Sequence, residues 1–361
     1  MNKALFFLVS IALFSNCINK KDVETEIVAL PTEILDNAVP IQADTLKIAT
    51  DFPVANCYFM YNDSILIVQN YGKPDGYFLE FYNYKENRIV KQLLTQGKGP
   101  KEALAITPSR RFFGSKMVSG DIATQQLIIL DIDSVLSGKD YEMQKHQIMY
   151  AGGLTFALFQ DKLIAENPNC FKSEELGIEL ETNRFISCNH ENTYRLNLPD
   201  CAYNAINVTN NGHILTNEEK GIVCYASFSK SLVEFYDKEL NLTKKISGPK
   251  NNPIEYVVRN NNFIVFHGRI PYSYFTACSN NKYIYLLYVN TYWDQMKDAP
   301  NQGDYYIIKM DWEGNVVKTY KTNYLLHSLR CLTSEQTKQD ILFGWITTDE
   351  GNACIIRLIT E

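Results

Sequence analysis

Few of the patterns that mark catalytic chemistry occur in this 361-residue sequence. Its five histidines (His146, His190, His213, His267 and His327) are scattered, with neither His-x-x-x-His nor His-Glu-x-x-His, so no pair is spaced to hold a metal from one helix face. Cys-x-x-Cys is missing, which removes zinc knuckles and thioredoxin-type redox pairs. There is no Gly-x-Ser-x-Gly elbow to raise a nucleophilic serine, and no Gly-x-x-x-x-Gly-Lys-Ser/Thr loop to cradle phosphates. Asp131-Ile132-Asp133 begins like a calcium loop but has neither its glycine nor its terminal glutamate. No metal and no cofactor is expected. Positive charge is scarce as well: 35 Lys and Arg against 41 Asp and Glu leave a net charge of −6, with no basic patch to neutralise phosphates, which excludes a nucleic-acid binder.

What the chain has in quantity is 23 Tyr, 19 Phe and 45% apolar residues, a strand-forming composition with ample material for a core. Its length holds one large all-β domain or two smaller ones. Cys17 aside, most cysteines sit in apolar runs such as Asn56-Cys57-Tyr58-Phe59 and Val223-Cys224-Tyr225. There a free Cys behaves as a small buried hydrophobe. Free thiols are therefore expected, with one disulfide among the loop cysteines as the alternative.

Residues 1–16 read as a signal peptide: Lys3 supplies the positive start, Ala4 to Phe14 the apolar run, and Ser15-Asn16 the small and polar exit. That run is too short to cross a bilayer as a helix. Leu13-Phe14-Ser15-Asn16-Cys17 resembles a bacterial lipobox in the looser form typical of Bacteroidetes lipoproteins, which implies lipid attachment at Cys17 and a membrane partner. Plain secretion is the alternative. Residues 17–42 read as an acidic, flexible tether, with Pro31 and Pro40 opposing regular structure. Extended, the stretch from Ile18 to Asp44 would reach on the order of 80 Å. Lys21-Asp22-Val23-Glu24 resembles the acidic tag of surface-exposed Bacteroidetes lipoproteins; an ordinary solvated linker has the same composition.

From residue 43 to 361 one pattern recurs: a polar turn and then a short apolar, β-prone run. Such runs begin at Ile65, Leu127, Leu163, Ile214, Ile284 and Ile341, each read as the second strand of a blade. A second echo marks outer hairpins, in Phe81 to Asn87, Phe235 to Asn241 and Ile308 to Asn315, with a weaker copy in Ser187 to Asn192. Six four-stranded antiparallel blades follow, at 54–94, 113–148, 155–198, 203–246, 273–321 and 326–361. The last has three clear strands, so Thr45 to Ala49 is expected to complete it beside Cys354 to Leu358 and close a six-bladed β-propeller. A pair of β-sandwiches is the competing fold.

After the first blade comes Gln96-Gly97-Lys98-Gly99-Pro100-Lys101-Glu102. With the lipobox and the six blades, this resembles the TolB-like six-bladed β-propeller lipoprotein family of Bacteroidetes, whose first blade ends in Gly-x-Gly-Pro-x-Glu. The resemblance implies a fold and a cell-envelope address, on the outer membrane with surface exposure as one orientation, and no particular activity. In the motif, Gly97 and Gly99 permit turn dihedrals, Pro100 fixes the exit, and Glu102 can accept backbone N–H bonds. Gly248-Pro249 with Glu255 reads as a degraded second copy.

Loops joining second to third strands share a rim with those joining blades. That rim is expected to collect 71–75, 97–102, 166–181, 217–220 and 290–304. The ligand-face candidates are Tyr71, Asp75, Lys98, Glu102, Tyr292, Trp293 and Asp294; aromatics beside Asp and Asn suit sugar rings or peptides. The expected function is a non-catalytic module binding a glycan, peptide or envelope protein. A glycan hydrolase or lyase using loop carboxylates and an envelope scaffold are the alternatives.

Overall fold

The computed structural model describes residues 25, 27–46, 57–70, 76–106, 112–121, 123–138, 141–147, 155–167, 170, 172–173, 178–179, 183–187, 210–259, 262–264, 269–296, 301, 303–334, 337–348 and 350–360. Nearly all of their regular structure is strand, gathered into six blades. From the centre outwards the first blade is Cys57–Met60, Ile65–Gln69, Tyr77–Asn83 and Arg88–Gln96, with Glu102–Ala103 added in parallel. The second is Phe112–Phe113, Lys116–Asp121, Gln126–Asp131 and Met143–Gln147; the third shows Phe156–Phe159, Lys162–Glu166 and Phe185–Ser187. Gly212–Asn217, Ile222–Ser227, Leu232–Tyr236 and Leu242–Ser247 make the fourth, and Pro271–Ser279, Tyr283–Tyr292, Tyr305–Asp311 and Val316–Thr322 the fifth. The sixth is Leu329–Thr333, Asp340–Thr347 and Ala353–Ile359, completed by Gln42–Thr45. First strands meet around the centre, with Leu329–Thr333 of the last blade touching Cys57–Met60 of the first.

Strand alternation explains the unbroken apolar runs. Successive side chains point to opposite faces, and here both faces meet a neighbouring blade. Ile65 and Ile67 pack with Met117 and Ile128 of the second blade, whereas Leu66 and Val68 pack with Phe343, Trp345 and Ile355 of the sixth. Likewise Tyr285 and Leu287 join the cluster shared with the sixth blade, while Ile284 and Leu286 join the one shared with the fourth. Outer hairpins share one local solution. Oδ1 of Asn83 accepts the N–H of Lys85 and Glu86, Asp237 those of Glu239 and Asn241, and Asp311 those of Glu313 and Asn315, all at 2.8–3.1 Å. Each hairpin has a residue at positive φ, Asn87, Leu240 or Gly314, and a bulge in the same register. The weaker copy, Ser187 to Asn192, lies almost wholly outside the described residues.

Two strand assignments differ from expectation. The Leu127 run is the third strand of its blade, because the inner strand Phe112–Phe113 is too short to register as an apolar run and the second, Lys116–Asp121, is half polar. The Ile214 run is an inner strand. Its following turn, residues 218–221, therefore emerges at the rim opposite the one expected, since a slip of one strand reverses the end at which a loop appears.

The stretch expected to be a flexible tether also differs. Ile27–Ala29 runs parallel to Leu242–Ser247, and the Leu30 N–H donates to the Ser247 carbonyl at 2.8 Å. The helix Glu33–Asp36 inserts Leu35 into the cluster between the fourth and fifth blades. Val39–Pro40 then pairs in parallel with Val316–Thr322, and Gln42–Thr45 pairs antiparallel with Ala353–Ile359. One segment thus crosses the outer edges of three consecutive blades as a belt. Composition hides it because Ile27, Val28 and Val39 stay 57%, 42% and 39% exposed: backbone hydrogen bonds, not side-chain burial, hold these strands. Closure of the ring is as expected, three residues earlier than Thr45 to Ala49. Leu46 donates its N–H to the Ile355 carbonyl at 2.9 Å, and Lys47 to Ala49 lie outside the described residues.

Candidate functional site

The turn after the first blade is built around Glu102. Its Oε2 accepts the Gly99 N–H at 2.7 Å, and a Cβ at Gly97 would stand 2.0 Å from that same oxygen. Lys145 of the second blade donates to the carbonyls of Gly99 (2.8 Å) and Glu102 (2.6 Å), so the motif clasps two blades together. A Cβ at Gly97 can be accommodated only by displacing a flexible carboxylate. Gly97→Ala and Glu102→Ala are therefore expected each to cost about 1–2 kcal/mol, and the double variant no more than the larger single loss. Urea unfolding of the four proteins checks this; additive losses would mean that the two residues act separately. The second copy does not repeat the clasp, for Glu255 faces Arg269 at 3.9 Å.

Of the other candidates, Tyr71 and Asp75 lie outside the described residues, as does Cys17. Lys98 is exposed. Tyr292 donates its hydroxyl to the Pro253 carbonyl at 3.0 Å and its N–H to Gln295 at 3.3 Å. The Trp293 ring stands edge-on to Tyr272, centroids 5.9 Å apart, and packs on the cluster between the fifth and sixth blades. Asp294 is exposed one residue further on. Lys98 and Glu102 belong to the junction of the first two blades and Tyr292 to Asp294 to the fifth, so the structure places them as two separate groups.

A cavity of about 490 Å³ opens instead among the inner strands. Its wall includes Phe59, Phe112 and Phe113, the Ile214 to Glu219 stretch, Ala277 to Asn281, and Leu329 to Cys331. The turns at Gly114, Glu218 and Asn281 place its mouth at the rim opposite the expected ligand face. Within it the Arg330 guanidinium lies over the Phe112 ring, 4.8 Å from the centroid. Its Nε is fully enclosed with no hydrogen-bond partner, and it makes no ion pair among the described residues. Burial pulls its pKa down, with Cys278, Cys331 and Tyr61 acting against that pull, yet a guanidinium stays charged at neutral pH. The two thiols supply no counter-charge, because burial pushes Cys331 up to about 12 and Cys278 well above its ordinary value. All six described cysteines are free, as expected.

Polar groups line the mouth. Asn217 donates to the Asn281 carbonyl at 3.0 Å, Asn281 donates to Glu219 at 3.3 Å, and Glu218 and Glu219 are exposed. Sequence reading passed over Arg330, because a lone Arg in Leu329-Arg330-Cys331-Leu332 looks like an ordinary solvated strand position. The one available signal was its place on an inner strand, the part of a blade that borders the centre of the ring.

A second ionic group lies between the third and fourth blades. Arg184 bonds Glu234 at 3.0 Å and Asn210 at 2.8 Å, while Tyr225 donates to Glu166 at 2.5 Å and Tyr236 to Glu234 at 2.8 Å. Its charges face one another, which fits a buried network joining blades. Among the described residues no cluster of His, Cys, Asp and Glu could hold a metal ion.

A family profile described as TolB-like 6-blade propeller-like matches residues 55–332. No curated protein matches the sequence. Among solved structures the fold is similar to a DUF4221 family member from Bacteroides vulgatus, with a TM-score of 0.51 at 10% identity over 90% of this chain and 98% of that one. A Bacteroides fragilis protein described as exported is also similar, with a TM-score of 0.45 at 11% identity over 92% of this chain and 99% of that one. At these identities the likeness is one of fold.

Proposed function

The chain belongs to the TolB-like six-blade propeller family, and from that premise we propose a lipid-anchored, non-catalytic module that binds its ligand in the cell envelope. The central cavity is the observation that carries this reading. It has the size of a small-molecule site, aromatic walls, hydrogen-bonding groups at its mouth and one charge with no counter-charge paired to it among the described residues. The address comes from the sequence of residues 1–17, with the lipid on Cys17 supplying membrane contact. Turnover of a glycan is the competing reading. It needs carboxylates at the ligand, and Glu218 and Glu219, exposed neighbours at the mouth, are the two among the described residues of the cavity wall.

Two measurements test the proposal. In cells fed an alkyne fatty acid, the full chain is expected to take up label, and Cys17→Ser to lose label while remaining folded. A glycan array followed by product analysis is expected to show retention without new reducing ends; release of products would replace binding by catalysis.

A further inference from the structure

Arg330 is an expensive residue to keep where it is. Its Nε is shut away without a hydrogen-bond partner while the rest of the half-buried side chain lines the cavity, and an arginine so placed normally has a carboxylate beside it. Among the described residues the Phe112 face stands in that place, and a ring face offsets a cation far less than a carboxylate does. Contrast Arg184, similarly enclosed, which has a carboxylate at 3.0 Å and an amide at 2.8 Å. The same chain therefore pairs one buried arginine and leaves another open to a cavity.

Building on the binding role proposed above, we infer that the central cavity takes a small monocarboxylate, whose carboxylate docks on Arg330 while its remaining polar groups meet Asn217 and Asn281 at the mouth. Guanidinium and carboxylate match in planar, two-pronged geometry, which makes this pairing stronger than a point-charge contact. The phenyl faces of Phe59 and Phe112 give the ligand's body an apolar wall. Charge selects against phosphate. Among the described residues the wall has one cation and, at its mouth, Glu218 and Glu219, so a dianion would meet two negative groups on entry with one positive group to receive it.

Thermal unfolding of the full mature chain with 10 mM acetate, benzoate or D-glucuronate, each against equal chloride, inorganic phosphate and the neutral analogues benzamide and glucose, tests the inference. At least one carboxylate is expected to raise Tm where its neutral analogue and phosphate do not. Arg330→Met is expected to weaken that carboxylate's binding by about tenfold or more, while raising the Tm of the ligand-free protein because an unbalanced charge is gone. A purely structural arginine gives the reverse, a lower ligand-free Tm. Should Arg330→Met not fold, modification of wild-type Arg330 by phenylglyoxal, mapped by mass spectrometry, is expected to slow when the carboxylate is present. No shift with any carboxylate, a shift that survives Arg330→Met, or unslowed modification overturns the inference. Equal shifts by neutral glucose in wild type and variant would leave the binding role standing and remove the anion; no shift by any compound would remove both.

Discussion

Deleting residues 1–46 is expected to abolish the folded monomer, whereas deleting residues 1–26 should leave a cooperatively folded monomer. The longer deletion removes every pair that the belt makes with the fourth, fifth and sixth blades, the buried Leu35 side chain, and the Asp44–Arg357 ion pair at 2.7 Å. It also uncovers the edges of three sheets at once, and exposed edges pair with other chains. Losing the closing strand from the sixth blade removes its outermost strand, and the combined cost is on the order of the 5–15 kcal/mol that holds a whole domain folded. Size-exclusion chromatography and thermal unfolding of the two truncations decide the matter. A monomeric, cooperatively melting protein lacking residues 1–46 would show that the belt is a passive covering. A partial result has meaning too: restored monomer on adding a peptide of residues 27–46 would confirm that the lost element acts as a separable strap.

Alkaline solution is expected to unfold the protein between about pH 10 and 11.5, with tyrosinate formation and loss of β-sheet circular dichroism in one step. Burial raises the pKa of Tyr61, Tyr225, Tyr236 and Tyr285, and the carboxylate each hydroxyl bonds (Asp133, Glu166, Glu234 and Asp340) raises it further. Burial also raises Tyr274, whose hydroxyl donates to the Gly248 carbonyl at 2.7 Å. The sign follows from linkage. These phenols are held protonated in the folded state but ionise near 10 once unfolded, so their contribution is complete below pH 10 and declines as pH rises beyond it. Each fully enclosed phenol removes at most about 1.4 kcal/mol per pH unit, so Tyr225, Tyr236 and Tyr274 together remove up to about 4 kcal/mol per unit. Absorbance at 295 nm and circular dichroism recorded on one titration test this. Smooth ionisation of all 23 tyrosines around pH 10 with the sheet signal intact would show that burial does not restrain them.

The parts of the fold that sequence could reveal are those encoded locally. An Asx turn with its positive-φ residue needs only consecutive residues, so Phe235 to Asn241 and Ile308 to Asn315 were legible as hairpins. The apolar runs at Ile65 and Ile284 were legible because blades cover both of their faces. Phe112–Phe113 was not, since two residues do not make a pattern, and its loss moved the Leu127 run to the wrong position. The belt escaped for a different reason: its strands contribute backbone rather than side-chain burial, and composition reports side chains. In the site, Glu102 was read correctly as a partner for backbone N–H groups, because the glycines around it are adjacent in sequence. The cavity could not be read at all. It gathers residues from five blades, and the status of Arg330 as unpaired depends on what surrounds it in space, which no single stretch records.

Under the lipid anchor proposed at Cys17, the belt would set how the disc stands on a membrane. With a lipid on Cys17, only residues 18–26 separate the anchor from the strand Ile27–Ala29, a leash of about 30 Å at full extension. It leaves from the flank of the fourth blade, so the wheel would ride on its tread, with both hubs turned sideways and open to diffusing molecules. Pulling on the lipid would shear Ile27–Ala29 along Leu242–Ser247 before it could reach the closing strand, so the fourth blade takes up mechanical load ahead of the seam.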